Sequence, residues 1–406
     1  MRIGAVAVAA VIVAEAAVWL MRPRGPVVDP APVSERAYFS QAEIDRGTDF
    51  RSGQRLIAIG TLAVEGGLLL ALAIWRPAPL RRGLRRASRR PLLGAAALGA
   101  GISLSLTLVA LPLGALAHER ARDVGLSSQE LGAWLGDSGK SALIGAGLAA
   151  LGATVAVAML RRLGRHWWIG GSVVVVTFAA IFTWLAPVLL APAFNRFDEL
   201  PPGKTRTQIL RLGERAGVEI GNVYRVDASR RTTVLNAYVD GLGSTKRVVI
   251  YDNTLRELDA GELDSLVAHE LAHVKGDDIV RGIAWVALVA PLGVLFVQLA
   301  TGALARRSGD DPRSPAALPA LALSLAVTMF VLGAVSTQLS RRVEARADSF
   351  ALEQTDDPQG LIGLQRRLAV TNVSDPDPPA VWQGLFATHP DTMQRIGAAV
   401  AFGRER

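Results

Sequence analysis

The sequence predicts an α-helical integral membrane protein, with about seven spanning helices and one small α+β unit inserted among them. Three observations carry this prediction. Half of the 406 residues are hydrophobic although 20% are charged, and mean hydropathy is positive, so the apolar residues are gathered in blocks and not mixed into one soluble core. Seven of those blocks are long enough to cross a bilayer. A single long polar stretch between the fifth and sixth blocks carries His269-Glu270-Leu271-Ala272-His273, a pattern with its own chemistry.

In chain order, Ile3 to Leu20 is an apolar run behind Arg2. Its length, with Arg22 and Arg24 directly after it, favours an uncleaved membrane helix over a signal peptide. A polar stretch from Arg24 to Arg55 follows, then apolar segments at about 56–75, 92–117, 141–160, 168–194, 279–304 and 315–339. Glu15 and Glu65 fall inside predicted spans. A carboxylate there is costly unless it is protonated in a helix-packing hydrogen bond or faces a wet interior, and the sequence leaves both open.

The boundaries divide the chain into a membrane part (1–194), a polar insertion (195–277), two further spans (278–339) and a C-terminal segment (340–406). Within the insertion, Thr205 to Ala216 has helical periodicity. Asn222 to Val226, Leu235 to Val239 and Arg247 to Tyr251 read as strands, the last two joined through Asp240-Gly241-Leu242-Gly243-Ser244. So small a unit cannot build a sizeable core of its own, and it is expected to pack on the membrane helices. The C-terminal segment holds an acidic helix, a linker at Asp375 to Pro379 and a closing Thr388-His389-Pro390-Asp391.

Imidazoles four residues apart lie one turn above each other on a helix, so His269 and His273 can both aim a ring nitrogen at one metal ion while Glu270 projects beside them. Asp259 with Glu262 three residues on can start that helix, and Gly276 can end it. A catalytic zinc needs a third protein ligand and an open position for water. Glu344 and Asp348, again four apart, offer one carboxylate ligand and a second acid to receive a ligating His N–H. The plain alternative is a solvated face paired with Arg341, Arg342 and Arg346; the HExxH upstream and the adjoining membrane segment favour the metal reading. There is no cysteine, which excludes disulfides and thiolate chemistry. Of 44 Lys and Arg only four are Lys, leaving forty Arg in a chain of net charge +8. With no aromatic-and-basic platform, that charge suits a phospholipid surface and not nucleic acid.

Taken together, Asn236-Ala237-Tyr238-Val239-Asp240-Gly241, Lys246-Arg247-Val248-Val249-Ile250-Tyr251-Asp252, the HExxH, the stretch from Ser340 to Ala351 and the late His389-Pro390 resemble, in order, the CAAX prenyl protease 1 family of integral-membrane zinc metalloendopeptidases. Ala37-Tyr38-Phe39-Ser40 and Gly125-Leu126-Ser127-Ser128-Gln129 are similar too. The resemblance implies one Zn2+ held by His269, His273 and Glu344, with Glu270 as catalytic base and Asp348 supporting a ligand. It further implies Asn236 on an edge strand that binds substrate backbone, and His389 and Arg395 near the scissile carbonyl. Seven helices around an intramembrane chamber are the implied architecture. The implied partners are a lipid bilayer and a peptide or lipidated membrane-protein substrate.

The Arg-for-Lys bias hints at a bacterial member in the inner membrane. Eukaryotic members place the catalytic unit in the cytosol, and that topology is the expectation here. The segment Arg76 to Arg90, with seven Arg and no acid, argues the other way by the positive-inside rule, as do Arg161 and Arg306, while Arg22, Arg24, Arg341 and Arg342 offset them. Two other functions stay open: an HtpX-like quality-control endopeptidase, and a non-enzymatic seven-helix protein whose structural zinc is closed by a folded-back His389.

Overall fold

The chain begins with four helices: α1 (Arg2–Met21), α2 (Gln41–Ile74), the short α3 (Ala78–Arg89) and α4 (Pro91–Asp123). They are followed by α5 (Leu131–Leu163) and α6 (Trp167–Leu189). The structure is a computed structural model, and it describes residues 2–76, 78–240 and 246–406. Among the described residues six helical stretches are long and apolar enough to cross a membrane, and one of them, Leu131–Ala193, runs for 63 residues. At 1.5 Å per residue a single helix of that length would measure about 95 Å, some three times a bilayer's hydrocarbon core. A 3-10 turn at Gly164–His166, with Gly164 at φ +54°, divides it into α5 and α6, and the predicted seven spans result.

The helices outrun the apolar segments that announced them. Fifteen residues of the polar stretch before the second span are already helical in α2, opened by a capping box between Ser40 and Glu43. This half of α2 buries Gly47 and Phe50 and directs Arg51 and Arg55 at the C-terminal segment. The arginine-rich segment from Arg76 to Arg90 contains α3, which buries Leu84 and leaves its arginines exposed.

After α6 come β1 (Phe197–Glu199), α7 (Lys204–Ala216), β2 (Asn222–Val226), β3 (Ala237–Asp240) and β4 (Arg247–Tyr251). The order across the sheet is β1-β2-β4-β3, with β2 and β4 parallel and the outer pairs antiparallel, so β3 is an edge. Of the expected link between β3 and β4, Gly241 to Ser244 lie outside the described residues. The short α8 (Asp252–Glu257) and α9 (Ala260–Lys275) follow; α10 (Asp278–Arg307) and α11 (Leu318–Thr355) complete the spans. Three helices close the chain: α12 (Pro358–Thr371), α13 (Ala380–Phe386) and α14 (Thr392–Arg404).

The insertion does not rest its core on the spanning segments, as its size suggested. Ile209, Leu212, Val223, Val248, Ile250, Leu266 and Leu271 pack instead with Phe350 and Leu352 from the end of α11, Leu361 and Leu364 from α12, and Phe402 from α14. Its contacts to the membrane part include polar ones, Arg231 Nε donating to Asp137 Oδ2 on α5 at 2.8 Å and Thr233 N to Leu126 O at 3.1 Å beside a bridge between Ser127 and Thr232, and a small apolar one of Val234 with Phe50 and Leu126. Among the spans, α1 packs on α10 and α11 through Ala14, Ala17, Val18, Val289 and Val335.

The two intramembrane acids part ways. Glu15 accepts a hydrogen bond from Gln338 Nε2 at 2.8 Å across the α1–α11 contact. Glu65 lines a cavity of about 670 Å³ with Thr107, Gln129, Trp134, Asp137 and Arg231. If α12 and the insertion share one core, Leu364→Ala removes a side chain that is 1% exposed and is expected to cost about 2–5 kcal/mol. Thermal unfolding in detergent checks this; an unchanged midpoint would place α12 outside the core.

Candidate metal centre

Helix α9 starts at a capping box: Glu262 N donates to Asp259 Oδ1 at 2.9 Å and Asp259 N to Glu262 Oε2 at 3.1 Å. Its buried side, from Leu263 to Ala272, includes His269. The end of α11 lies against it and brings in Glu344 and Asp348, seventy-five residues and more downstream. His269 Nε2 and His273 Nε2 are 3.3 Å apart. Glu344 Oε2 is 3.0 Å from His269 Nε2, and Oε1 is 3.7 Å from His273 Nε2.

The far nitrogens settle what those near atoms can be. His269 Nδ1 donates to Asp348 Oδ1 at 2.9 Å, and His273 Nδ1 donates to Asp278 Oδ2 at 3.0 Å. In their neutral, metal-binding form the rings would keep their protons on Nδ1, leaving a lone pair on each Nε2, and a carboxylate oxygen faces them. Three converging acceptors repel one another unless a cation lies between them. Ligands about 2.0–2.1 Å from zinc in a tetrahedron stand about 3.3 Å from one another, and the observed separations bracket that value. Glu344 Oε2 is buried and makes no regular hydrogen bond; the groups beside it are the ring nitrogens of His269 and His389, at 3.0 and 3.2 Å, as suits an atom facing a metal. The donor set therefore fits a zinc ion.

Glu270 follows His269 on the same helix, close enough to both rings to feel their charge. Burial raises its carboxyl above the ordinary value, with His269 and His273 opposing the rise. His389 Nε2 is 3.2 Å from Glu344 Oε2, and its side chain, 53% exposed, stands at the open side. It is not one of the three residues whose ligand atoms lie within 4.8 Å of one another. Arg395 is engaged by Asp348, Nε and NH2 donating to its two oxygens at 2.8 and 2.6 Å, and it also lines a second cavity of about 310 Å³. Asn236 lies just before β3, where its N donates to Thr254 Oγ1 at 2.8 Å and its Oδ1 accepts from Ala237 N at 2.9 Å.

Sequence reasoning missed Asp278 and Arg281. Asp277, at φ +51°, turns the chain so sharply that the first residue of α10 returns to His273. Arg281 then donates to Asp278 Oδ1 at 2.9 Å, to Met21 O at 2.7 Å and to Gly276 O at 2.8 Å. A spacing of five across a helix break matches no helical or strand period, so only the Asp-Asp pair behind a Gly hinted at it.

An α-helical membrane body with this centre at the end of two spans defines an integral-membrane metalloprotease. The pattern of peptidase family M48 matches residues 200–402, and that of the CAAX prenyl protease N-terminal region, five membrane helices, matches residues 78–196. YhfN of Bacillus subtilis (strain 168), described as an uncharacterized metalloprotease, is 30% identical over 300 residues, 73% of this chain and 70% of that protein. A CAAX prenyl protease 1 homolog of Oryza sativa subsp. japonica is 28% identical over 225 residues, 52% of this chain and 51% of its own length. The crystal structure of S. mikatae Ste24p superposes with a TM-score of 0.77 at 17% identity, covering 98% of both chains. The chain belongs to peptidase family M48, and it is a membrane metalloendopeptidase.

Because Asp278 fixes the tautomer of one candidate ligand, Asp278→Asn is expected to weaken zinc binding about 10- to 100-fold. Competition with a chromogenic chelator measures it, and an unchanged affinity would leave Asp278 with no part in the site.

Proposed function

We propose that this protein hydrolyses peptide bonds of membrane or lipidated proteins with one zinc ion held by His269, His273 and Glu344. The convergence of three lone pairs, with both ring tautomers fixed by Asp348 and Asp278, carries the reading. When bound, zinc acts as a Lewis acid that acidifies water and polarises a carbonyl. Glu270 takes the proton of the attacking water and returns it to the leaving amine. His389, exposed at the open side, donates to the carbonyl oxygen as charge develops there. Arg395 holds Asp348, and through it His269, and does not itself reach the substrate. The peptide lies extended along β3 by strand addition, whose edge Asn236 begins.

Likeness to the CAAX prenyl proteases suggests a prenylated C-terminal peptide as substrate class. An HtpX-like quality-control role would share the chemistry without the lipid requirement. Cleavage of a farnesylated CAAX peptide and its unprenylated twin by purified protein in detergent separates the two. Glu270→Gln is expected to keep its zinc while turnover falls about 10²- to 10⁴-fold; full activity in that variant would overturn the mechanism.

Likeness to the Bacillus subtilis YhfN protein and the Arg-for-Lys bias suggest a bacterial cell membrane, and likeness to the CAAX prenyl proteases a catalytic unit in the cytoplasm. The chain has no cysteine, so single cysteines report topology directly. In intact cells Arg86→Cys on α3 should react with a membrane-impermeant maleimide and Glu214→Cys on α7 should not. The reverse pattern would put the catalytic unit outside.

A further inference from the structure

The β3 edge is held from outside the sheet by a residue that the chemistry above does not use. Tyr251 N donates to Asn236 O at 3.1 Å, and Ala237 pairs with Ile250. Residues 236, 238 and 240 therefore turn their backbone groups to β4, and the N–H and C=O of Ala237 and Val239 point to the open edge. Asn236 Oδ1 covers the Ala237 N–H. The register of any peptide added there is thus set by where Leu235 and Asn236 are fixed.

Asn372, at the end of α12, fixes Leu235 by both of its backbone groups. Leu235 N donates to Asn372 Oδ1 at 2.9 Å, and Asn372 Nδ2 donates to Leu235 O at 3.4 Å. The side-chain amide thus stands in for a neighbouring strand. Asn372 is in turn braced from the membrane part: Arg51 on α2 donates from Nε to Val373 O at 2.8 Å and from NH2 to Asn372 O at 2.5 Å. Val373 adopts φ +46°, a strained conformation for a β-branched residue, which persists only where its surroundings hold it. Those surroundings are Phe50, Leu126 and Val234, so α2, the α4–α5 loop and the segment leading to β3 all meet at this turn.

We propose that Asn372, braced by Arg51, is a positioning residue that sets the register of the peptide on the β3 edge and so the bond presented to the metal centre. This rests on the strand-addition reading above. Among the described residues the side-chain amide of Asn372 hydrogen-bonds only to the backbone of Leu235, so its loss leaves the metal centre in place and loosens the edge. An ordinary packing role would instead show as lost stability or lost metal.

The test compares wild type, Asn372→Ala, Asn372→Asp and Arg51→Ala by amide hydrogen exchange, zinc content and peptide cleavage with products sized by mass spectrometry. In Asn372→Ala, exchange should rise at residues 235–239 alone, with zinc content and melting midpoint unchanged. KM should rise about tenfold, the worth of one lost hydrogen-bonded anchor, with kcat within about twofold and more than one bond cut. Asn372→Asp keeps the acceptor for Leu235 N–H and should fall between, and Arg51→Ala should follow Asn372→Ala more weakly. Unchanged exchange at 235–239, unchanged KM with a single cut site, or a fall in kcat together with zinc would each overturn the proposal. If wild type protein cuts neither peptide, the proposed function fails instead, and the exchange data alone decide whether Asn372 clamps the edge.

Discussion

Everything at the metal centre depends on the packing of α9 against the last third of α11. Helix α11 has 38 residues, about 57 Å at 1.5 Å per residue, nearly twice a bilayer's hydrocarbon core. Its first part is a membrane span and its last part is a wall of the catalytic core. Phe350 and Leu352 bury themselves against Leu266 and Leu271, and that contact brings Glu344 beside His269 and Asp348 behind it. Removing apolar surface from water thus brings together lone pairs that would otherwise repel one another.

The centre is tied to the membrane by polar links, each of which fixes an orientation. Met21, at the end of α1, accepts from Arg281, so the start of α10 and the His273–Asp278 pair are held against the first span. Asp137 on α5 takes Arg231, and Asp375 takes Arg55 of α2 at 2.5 Å. Partly buried pairs of this kind add little net stability but penalise any arrangement that leaves one partner unpaired. The consequence is a catalytic unit docked in one geometry on the spans and not loosely tethered to them.

Most of the membrane body was legible because a bilayer imposes length and apolarity on each span. The limits of the helices were not, because α2 and α11 continue as amphipathic helices once they leave the apolar segment. His269, His273 and Glu344 could be read from i,i+4 spacing. Asp278 could not, because its contact crosses a left-handed Asp277 at a helix break. The strand β1 is three residues long, too short for alternation to appear. Arg395 could be read only as a late cation because a sequence gives a charge but not its partner; in the fold that partner is Asp348. Glu15 and Glu65 were indistinguishable as acids inside predicted spans until one met Gln338 and the other a cavity.

The central claim is that one zinc ion is held by two imidazoles and one carboxylate with a position left open, and zinc K-edge X-ray absorption of the purified protein measures this directly. The account expects one zinc per chain, surrounded by nitrogen and oxygen at about 2.0 Å, with the multiple-scattering signature of two imidazoles and a water that an added hydroxamate displaces. A third imidazole, from His389, with a shell that the hydroxamate leaves unchanged would mean a closed structural site and would contradict the account.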